Sequence, residues 1–443
     1  MKPIAALLAG ILAVTAGGGQ ETSMTASELN AEAVKAYQGK DYGRFLAYEK
    51  RALDLDPTNE RFIYNVACGE ALLGNAREAV RLLGRLLADK LDFGAETDSD
   101  FEGIRGTPEW DAFKKQLAEL RKPVVRSRAA FILPDPNLLA TGIAVDPARG
   151  DVFIASVRER KIVRRKRDGT ISDFIQQAQD GFLAGNSLAV DSARHLLYAT
   201  TSAVPYMLGY QQQDFGRTGV FAFNLESGKL ARKTMLPADG KRHLLNALVV
   251  HHNGTVYVSD TGASSIYLLQ PGASELERFV PSGAFRAAQG LALSADEKTL
   301  FVADYATGLW AVDLSTKQQR HLDSPPGTWL QGLDGISRVP DGFIAVQIGP
   351  KPDRVVRIRV DRQQTRVNSV EILEMAHPDY EGPIQGAVRG GEFLYVANSQ
   401  LDLGNGNTGS FAAERARPTV VLALPFTGER GSKSLGRGSA ARR

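Results

Sequence analysis

The chain has 443 residues, of which 43% are hydrophobic and 23% are charged. This composition excludes a disordered or fibrous protein, and the length allows two folded domains with substantial cores. The formal net charge of +3 is small for this size and gives no reason to expect a nucleic acid as partner. The single cysteine, Cys68, excludes an intrachain disulfide.

The first segment has the composition of a secretory signal. Lys2 is its only charge, residues 4–14 are apolar, and small residues follow where a signal peptidase cleaves. The apolar run is too short to span a bilayer comfortably. We therefore predict a signal peptide and linker over residues 1–20, no transmembrane segment after cleavage, and a periplasmic or secreted protein.

Residues 25–122 have the period of helices, with an internal repeat. The motif that starts at Asp41 recurs 34 positions later at Asn75, and this spacing is that of tetratricopeptide repeats. Gly74 and Ala79 stand where such repeats place their helix-packing residues. The segment resembles a tetratricopeptide-like domain, which implies either a protein partner in its groove or support of the neighbouring domain.

Six copies of one strand pattern occupy roughly residues 140–400. Each copy has an apolar run, a turn and a second apolar run that ends in small or acidic residues, as in ALVVHHNGTVYVSDT from Ala247. The alternation within each run has the period of a strand with one buried face. Weaker strands follow each hairpin, and four strands per repeat are typical of propeller blades. We predict a mainly β fold: a six-bladed β-propeller over residues 128–426, after a small N-terminal all-α domain.

Closure of the propeller is predicted from the last copy, which lacks an outer strand. Its final apolar run, residues 420–424, is followed by a basic, glycine-rich tail over residues 427–443 that we expect to be disordered. A spare strand at residues 129–134 precedes the first copy. We expect this strand to complete the last blade and so remove an open sheet edge.

A polar residue precedes each copy. Because the innermost strands of a propeller line its central channel, residues at their starts converge at one mouth of that channel. We call these six residues the polar ring: Thr141, Asn186, Asn246, Gln289, Asp334 and Gln385. Carboxylate and amide oxygens suit a hard cation such as Ca²⁺. The polar ring therefore predicts a small-molecule site in the channel, with a divalent cation as candidate cofactor.

Three strand starts carry a resemblance to a known family. Asn246 before ALVVHHNGTVYVSDT, Gln289-Gly290 before LALSADEKTLFVADY, and Asp334-Gly335 in LDGISRVPDGFIAVQ resemble the senescence-marker-protein/gluconolactonase family. NHL-repeat and paraoxonase-type propellers are more distantly similar. The resemblance implies a divalent cation in the channel and hydrolysis of a lactone or ester. It also implies that Asn246 and Asp334 are metal ligands and that Asp334 accepts the proton.

The sequence departs from the family pattern at two ligand positions. Gln289 stands where the family has a second Asn, and Thr141 stands where it has a Glu. Since the number of carboxylates largely sets calcium affinity, Asp334 as the only carboxylate of the polar ring predicts a weak site. Glu381, just before the sixth copy, is the candidate second carboxylate, and a solvated loop residue is the alternative.

Four further features are candidates for function, and three of them have two interpretations each. His243 is a candidate channel residue and general base, or a loop histidine bonded to backbone. His251 and His252 lie in a hairpin turn with Asn253-Gly254, and because adjacent histidines on a strand point to opposite faces, we do not expect them to form a metal pair. The insertion over residues 202–218 is either a lid over the channel, or its apolar residues pack on the second blade or on the helical domain. The basic segment over residues 158–167 is a solvated hairpin or a surface for an acidic partner.

Two functions fit these residues. The first is an exported gluconolactonase-like hydrolase of a lactone or related ester, in which Asp334, Asn246 and Gln289 surround the cation and Asp334 is the base. The second is a non-catalytic ligand-binding or scaffold protein with a polar channel and a partner-binding helical domain. A second channel carboxylate from Glu381 would favour the hydrolase, whereas a single carboxylate would favour binding or a weak metal site.

Overall fold

The computed structural model describes residues 24–426 in two compact units. One unit contains the helices up to Lys122 with the short segments Pro326–Trp329 and Pro350–Pro352, and the other contains the rest. The signal peptide and the basic tail predicted above lie outside the described residues. No helix between residues 24 and 426 combines the length and apolarity needed to span a bilayer.

Between residues 24 and 426 there are five α-helices, and each begins at a side chain that accepts a hydrogen bond from the first helical turn. They are α1 (Ala26–Gln38), α2 (Tyr42–Leu55), α3 (Glu60–Leu72), α4 (Ala76–Ala88) and α5 (Pro108–Leu120). Asp41 caps α2 and Asn75 caps α4, so the repeat in the sequence marks the starts of two equivalent helices. A Cβ on Gly69 would lie 3.0 Å from Leu46 Cβ, which explains the small residue where α3 meets α2. The tetratricopeptide assignment itself stays a prediction.

In the described part of the chain, 24 strands form six four-stranded antiparallel sheets. The first three blades follow a leading strand, β1 (Arg128–Leu133): β2 (Ala140–Val145), β3 (Val152–Ser156), β4 (Ile162–Arg165) and β5 (Ile171–Ile175) in blade 1; β6 (Ala184–Asp191), β7 (Leu196–Ser202), β8 (Thr218–Asn224) and β9 (Leu230–Met235) in blade 2; β10 (Leu245–Val250), β11 (Val256–Asp260), β12 (Ser265–Leu269) and β13 (Glu277–Val280) in blade 3.

The remaining strands form the other three blades. They are β14 (Ala288–Leu293), β15 (Thr299–Asp304), β16 (Gly308–Asp313) and β17 (Gln319–His321) in blade 4; β18 (Leu333–Val339), β19 (Gly342–Gln347), β20 (Arg354–Val360) and β21 (Val367–Met375) in blade 5; β22 (Ile384–Arg389), β23 (Glu392–Val396) and β24 (Thr419–Pro425) in blade 6. The predicted six-bladed β-propeller with an N-terminal helical region is confirmed.

The ring is closed by strands from the two ends of the propeller. β1 pairs antiparallel with β24, and the sheet order of blade 6 is β1-β24-β23-β22. The spare strand before the first copy therefore completes the last blade, as its position in the sequence predicts. This pairing covers an edge that would otherwise be open to other chains.

Apolar layers between neighbouring blades form the core of the propeller. Phe301 of blade 4 meets Phe343 of blade 5 with ring centroids 4.7 Å apart. Leu133 of β1 and Leu394 of blade 6 share a layer with Val152 of blade 1. A single sheet cannot bury both of its faces, so each blade depends on its two neighbours.

Leu133 and Ile132 test the importance of closure, because they are adjacent on β1 and differ in burial. Leu133 is 1% exposed and Ile132 is 52% exposed. We expect Leu133→Ala to lower the free energy of unfolding by about 2–5 kcal/mol, since it leaves a cavity between blades 6 and 1. Ile132→Ala is the matched control and should have a much smaller effect. Urea unfolding followed by far-UV circular dichroism measures both, and equal losses would contradict this role of β1.

Candidate functional site

Every inner strand is irregular at its residue of the polar ring. β2, β6, β10, β14, β18 and β22 each pair with the next strand, and the register of each pair shifts near the start of the inner strand. Each shift contains the polar residue of that blade. Because a bulge interrupts the ladder and redirects a side chain, the repeated shift gives all six residues an equivalent position.

Glycine follows the polar residue in four of the inner strands. At Gly142, Gly290 and Gly335 the neighbouring blade approaches closely, whereas Gly386 faces Phe393 of its own blade. A Cβ on Gly142 would lie 2.7 Å from Ser187 Cα in the next blade, and a Cβ on Gly290 would lie 3.1 Å from Gly335 Cα. A larger residue would separate the inner strands.

Four residues of the polar ring are joined by hydrogen bonds. Asn246 Nδ2 donates to Gln289 Oε1, and Gln385 Nε2 donates to Asn246 Oδ1 at 3.4 Å. The backbone N–H of Gln385 donates to Asp334 Oδ2 at 3.2 Å. Asn246 lies on blade 3 and Gln385 on blade 6, so their contact spans the ring. We call Asn246, Gln289, Asp334 and Gln385 the amide–carboxylate cluster.

Thr141 and Asn186 bind the backbone of the next blade. Thr141 Oγ1 donates to the carbonyl of Gly185 at 2.7 Å, and Asn186 Nδ2 donates to the carbonyl of Leu245 at 2.7 Å. These bonds join blades 1, 2 and 3 at the level of the amide–carboxylate cluster. Both residues therefore support the ring, and their contact with a ligand stays a prediction.

Asp334 supplies the carboxylate of the cluster and is 7% exposed. Burial raises the pKa of its carboxyl from the ordinary 3.8 to about 6, although the hydrogen bond from the Gln385 backbone lowers it. A carboxyl with this pKa exchanges its proton close to neutral pH, as general bases do. The burial responsible for this shift cannot be read from the sequence around Asp334.

The two candidates in loops have other partners. The Glu381 carboxylate forms an ion pair with Arg417. His243 is buried, its Nδ1 faces Asp260 Oδ2, and its Nε2 lies 3.0 Å from Asp239 Oδ1. His243 is thus bonded to carboxylates rather than to the backbone. A role in the channel stays a prediction for both Glu381 and His243.

The acidic residues that end β11 and β15 hold loops in place. Asp304 accepts hydrogen bonds from the backbone N–H groups of Arg286, Ala287, Ala306 and Thr307. Asp260 accepts from the backbone N–H groups of Leu244 and Ala263 and also contacts His243. Asp260 and Asp304, at the acidic ends of the third and fourth copies, thus stabilise loops of the propeller. This role was not predicted from the sequence.

The insertion between β7 and β8 packs against the long loop between β23 and β24. A Cβ on Gly404 would lie 2.5 Å from the Tyr206 ring, and Tyr206 shares an apolar cluster with Phe411. Because successive strands are antiparallel, loops after second strands lie on the face where inner strands start. The apolar residues of the insertion are therefore packed on the face of the polar ring, and closure over the channel stays a prediction.

The basic segment over residues 158–167 contains ion pairs within the propeller. Lys161 Nζ lies 2.6 Å from Glu159 Oε2, and Arg164 pairs with Asp151. These pairs use part of the positive charge that an acidic partner would need. The ion pairs therefore favour the interpretation of residues 158–167 as a hairpin over that of a surface for an acidic partner.

The amide–carboxylate cluster offers the oxygen donors that Ca²⁺ prefers, but it contains one carboxylate. The side-chain oxygens of Asn246 and Gln289 already accept hydrogen bonds from neighbouring amides. Within residues 24–426, groups of three His, Cys, Asp or Glu ligands that converge within 4.8 Å occur elsewhere. The donor set thus fits a weak site for a hard cation better than a tight one.

The fold defines the class of protein, which is a six-bladed β-propeller. No protein-family model matches the chain, and no curated protein is significantly similar to it. Solved propeller structures do match it.

The similar structures include a luciferin-regenerating enzyme, with 14% identity, 69% of this chain and 98% of that chain covered, and a TM-score of 0.48. A gluconolactonase from Xanthomonas campestris matches at 16% identity over 70% of this chain and 93% of its own, with a TM-score of 0.46. A calcium-binding regucalcin from Agrobacterium tumefaciens matches at 16% identity over 67% of this chain and 96% of its own, with a TM-score of 0.45. At these identities the likeness concerns the fold alone.

The raised pKa of Asp334 predicts a dependence of stability on pH. The folded state holds this proton up to about pH 6, whereas the unfolded chain releases it near 3.8. The stabilisation is therefore complete below the unfolded value and is lost as the pH rises through about 6, by about 3 kcal/mol in total. In the Asp334→Asn variant, the side chain at this position does not titrate in either the folded or the unfolded state.

Urea unfolding of the wild type and of Asp334→Asn between pH 4 and about 7.5 measures the effect. We expect the difference in unfolding free energy between the two proteins to change across this interval, with the wild type losing stability relative to the variant as the pH rises. Parallel curves would show that burial does not raise the pKa of Asp334.

Proposed function

We propose that the channel mouth binds a small, oxygen-rich molecule and that the protein hydrolyses a lactone or a related ester there, with Asp334 as the proton acceptor. The environment of Asp334 carries this proposal. Its carboxyl is buried, its pKa of about 6 suits a base at neutral pH, and it accepts a hydrogen bond from the backbone N–H of Gln385. The composition of residues 1–16 supports the further proposal that the protein is exported.

Ester hydrolysis requires a base for water and donors for the developing oxyanion. Ionised Asp334 would accept a proton from water while the water oxygen bonds to the carbonyl carbon. The proton would then pass to the alkoxide as the ester C–O bond breaks. The side-chain N–H of Gln385 would donate to the carbonyl oxygen once a ligand replaces its hydrogen bond to Asn246 Oδ1. The amide of Asn246, which donates one N–H to Gln289, would donate its second N–H.

A divalent cation would be held by the Asp334 carboxylate with the amide oxygens of Asn246 and Gln289, and it would supply Lewis-acid polarisation of the carbonyl. The proposed roles of the side chains do not depend on a tight metal site. They depend on ionised Asp334 and on side-chain amides that can replace a hydrogen bond within the cluster by one to the ligand.

Non-catalytic binding is the second candidate function. The bond between Gln385 and Asn246 spans the channel, and the ion pair with Arg417 occupies the Glu381 carboxylate. With Asp334 as the single carboxylate of the cluster, this arrangement favours ligand binding or a weak metal site. The helical domain would then serve as the surface for a protein partner.

The Asp334→Asn variant tests the proposed hydrolysis. With glucono-δ-lactone or an aryl ester as substrate, we expect kcat/KM to fall by about 10²–10⁴-fold, because an amide cannot accept the proton. Wild-type activity should rise with pH and reach a plateau above about 6, where Asp334 is ionised. The matched control is Glu381→Gln, which neutralises a carboxylate that the structure pairs with Arg417 and should retain most activity.

Calorimetric titration with calcium and with the lactone separates the two candidate functions. Lactone binding that Asp334→Asn weakens, without turnover at millimolar calcium, would support the non-catalytic alternative. Turnover that survives Asp334→Asn would contradict the role of Asp334. Calcium binding of equal strength in the wild type and in Asp334→Ala would show that Asp334 is not a calcium ligand.

A further inference from the structure

A second group of potential metal ligands lies in the turns of blades 3 and 4. His251 and His252 follow β10, and Glu297 lies in the turn between β14 and β15. The expectation that the two histidines point to opposite faces of a strand is wrong, because both lie in the turn beyond the strand and both approach Glu297. His251 is five residues from Asn246, so this group lies about 16 Å along β10 from the amide–carboxylate cluster.

The potential ligand atoms converge. Glu297 Oε2 lies 3.6 Å from His251 Nε2 and 2.5 Å from His252 Nδ1. One ligand atom from each residue lies within 4.8 Å of the other two. In a tetrahedral zinc site with bonds of about 2.0–2.2 Å, ligand atoms are about 3.4 Å apart. Adjustments of the order of 1 Å in the His252 and Glu297 side chains, which are less buried than that of His251, would produce this spacing.

The backbone holds two of the three side chains near this position. Glu297 adopts a left-handed conformation with φ of 53°, which is unusual for a residue other than Gly, Asn or Asp. The backbone N–H of His252 donates to Glu297 Oε2 at 2.9 Å. The His251 ring is largely buried, and the two imidazole centroids are 4.3 Å apart. The nearby Arg194 cation pairs with Asp191 at 3.0 Å, which offsets its repulsion of a metal ion.

We propose that His251, His252 and Glu297 form a site for Zn²⁺ or a similar divalent transition metal that joins the turns of blades 3 and 4. Two imidazoles and one carboxylate are a ligand set that zinc accepts, with water in the fourth position. Binding at His251 Nε2 costs two hydrogen bonds: the one that its Nδ1 accepts from the backbone N–H of Asn253, and the one that its Nε2 donates to the carbonyl of Glu297 at 3.2 Å. We therefore expect weaker zinc binding than in a structural site with four protein ligands.

Zinc titration of the full-length protein by calorimetry, together with cobalt absorption spectra, tests this site. We expect one zinc ion per chain, tetrahedral cobalt bands and a higher melting temperature with zinc. His252→Ala and Glu297→Gln should each weaken zinc binding by at least about tenfold. The His252 side chain is 74% exposed, so its removal should not impair folding, and circular dichroism checks this.

Two variants serve as controls. His321→Ala removes an exposed histidine of blade 4 outside the group, and Asp334→Asn changes the channel; both should bind zinc as tightly as the wild type. Absence of zinc binding at about 1 mM, or binding that survives both His252→Ala and Glu297→Gln, would overturn the proposal. Neither result depends on whether the channel hydrolyses an ester.

Discussion

The packing of apolar side chains between neighbouring blades is the constraint on which the rest of this propeller depends. Each sheet has two apolar faces, and each face is buried only because another blade lies beside it. The six blades must therefore form a closed ring, in which blade 6 packs against blade 1. The pairing of β1 with β24 completes blade 6, and Leu133 of β1 joins the layer that blade 6 forms with blade 1. Closure turns six strand starts, which are far apart in sequence, into the mouth of one channel.

The same constraint explains the chemistry of the channel mouth. Glycines such as Gly142 and Gly290 let the inner strands approach, and the bulges redirect one polar side chain per blade. Asp334 is consequently buried next to Gln385, and burial raises the pKa of its carboxyl because it disfavours the charged form. A buried carboxylate among amides is suited to proton transfer. It is less suited to tight calcium binding, which needs more negative charge.

The repeated strand pattern was sufficient to predict the propeller, its closure by β1, and the equivalent positions of the polar ring. The contacts within the ring were not predictable, because they depend on side-chain reach. Thr141 is short and binds the neighbouring backbone, whereas Gln385 is long enough to meet Asn246 from across the channel. The partner of Glu381, Arg417, is 36 residues away in sequence. Turn geometry likewise decided where His251 and His252 point.

The titration of the Asp334 carboxyl is the most direct test of the proposed role of the channel. Aspartate labelled with ¹³C at the carboxyl carbon, compared between the wild type and Asp334→Asn, would isolate its NMR signal. We expect a midpoint near pH 6 and a shift of the signal when glucono-δ-lactone is added. A midpoint near the ordinary value of 3.8, together with no response to the lactone, would contradict a buried base at a ligand-binding site.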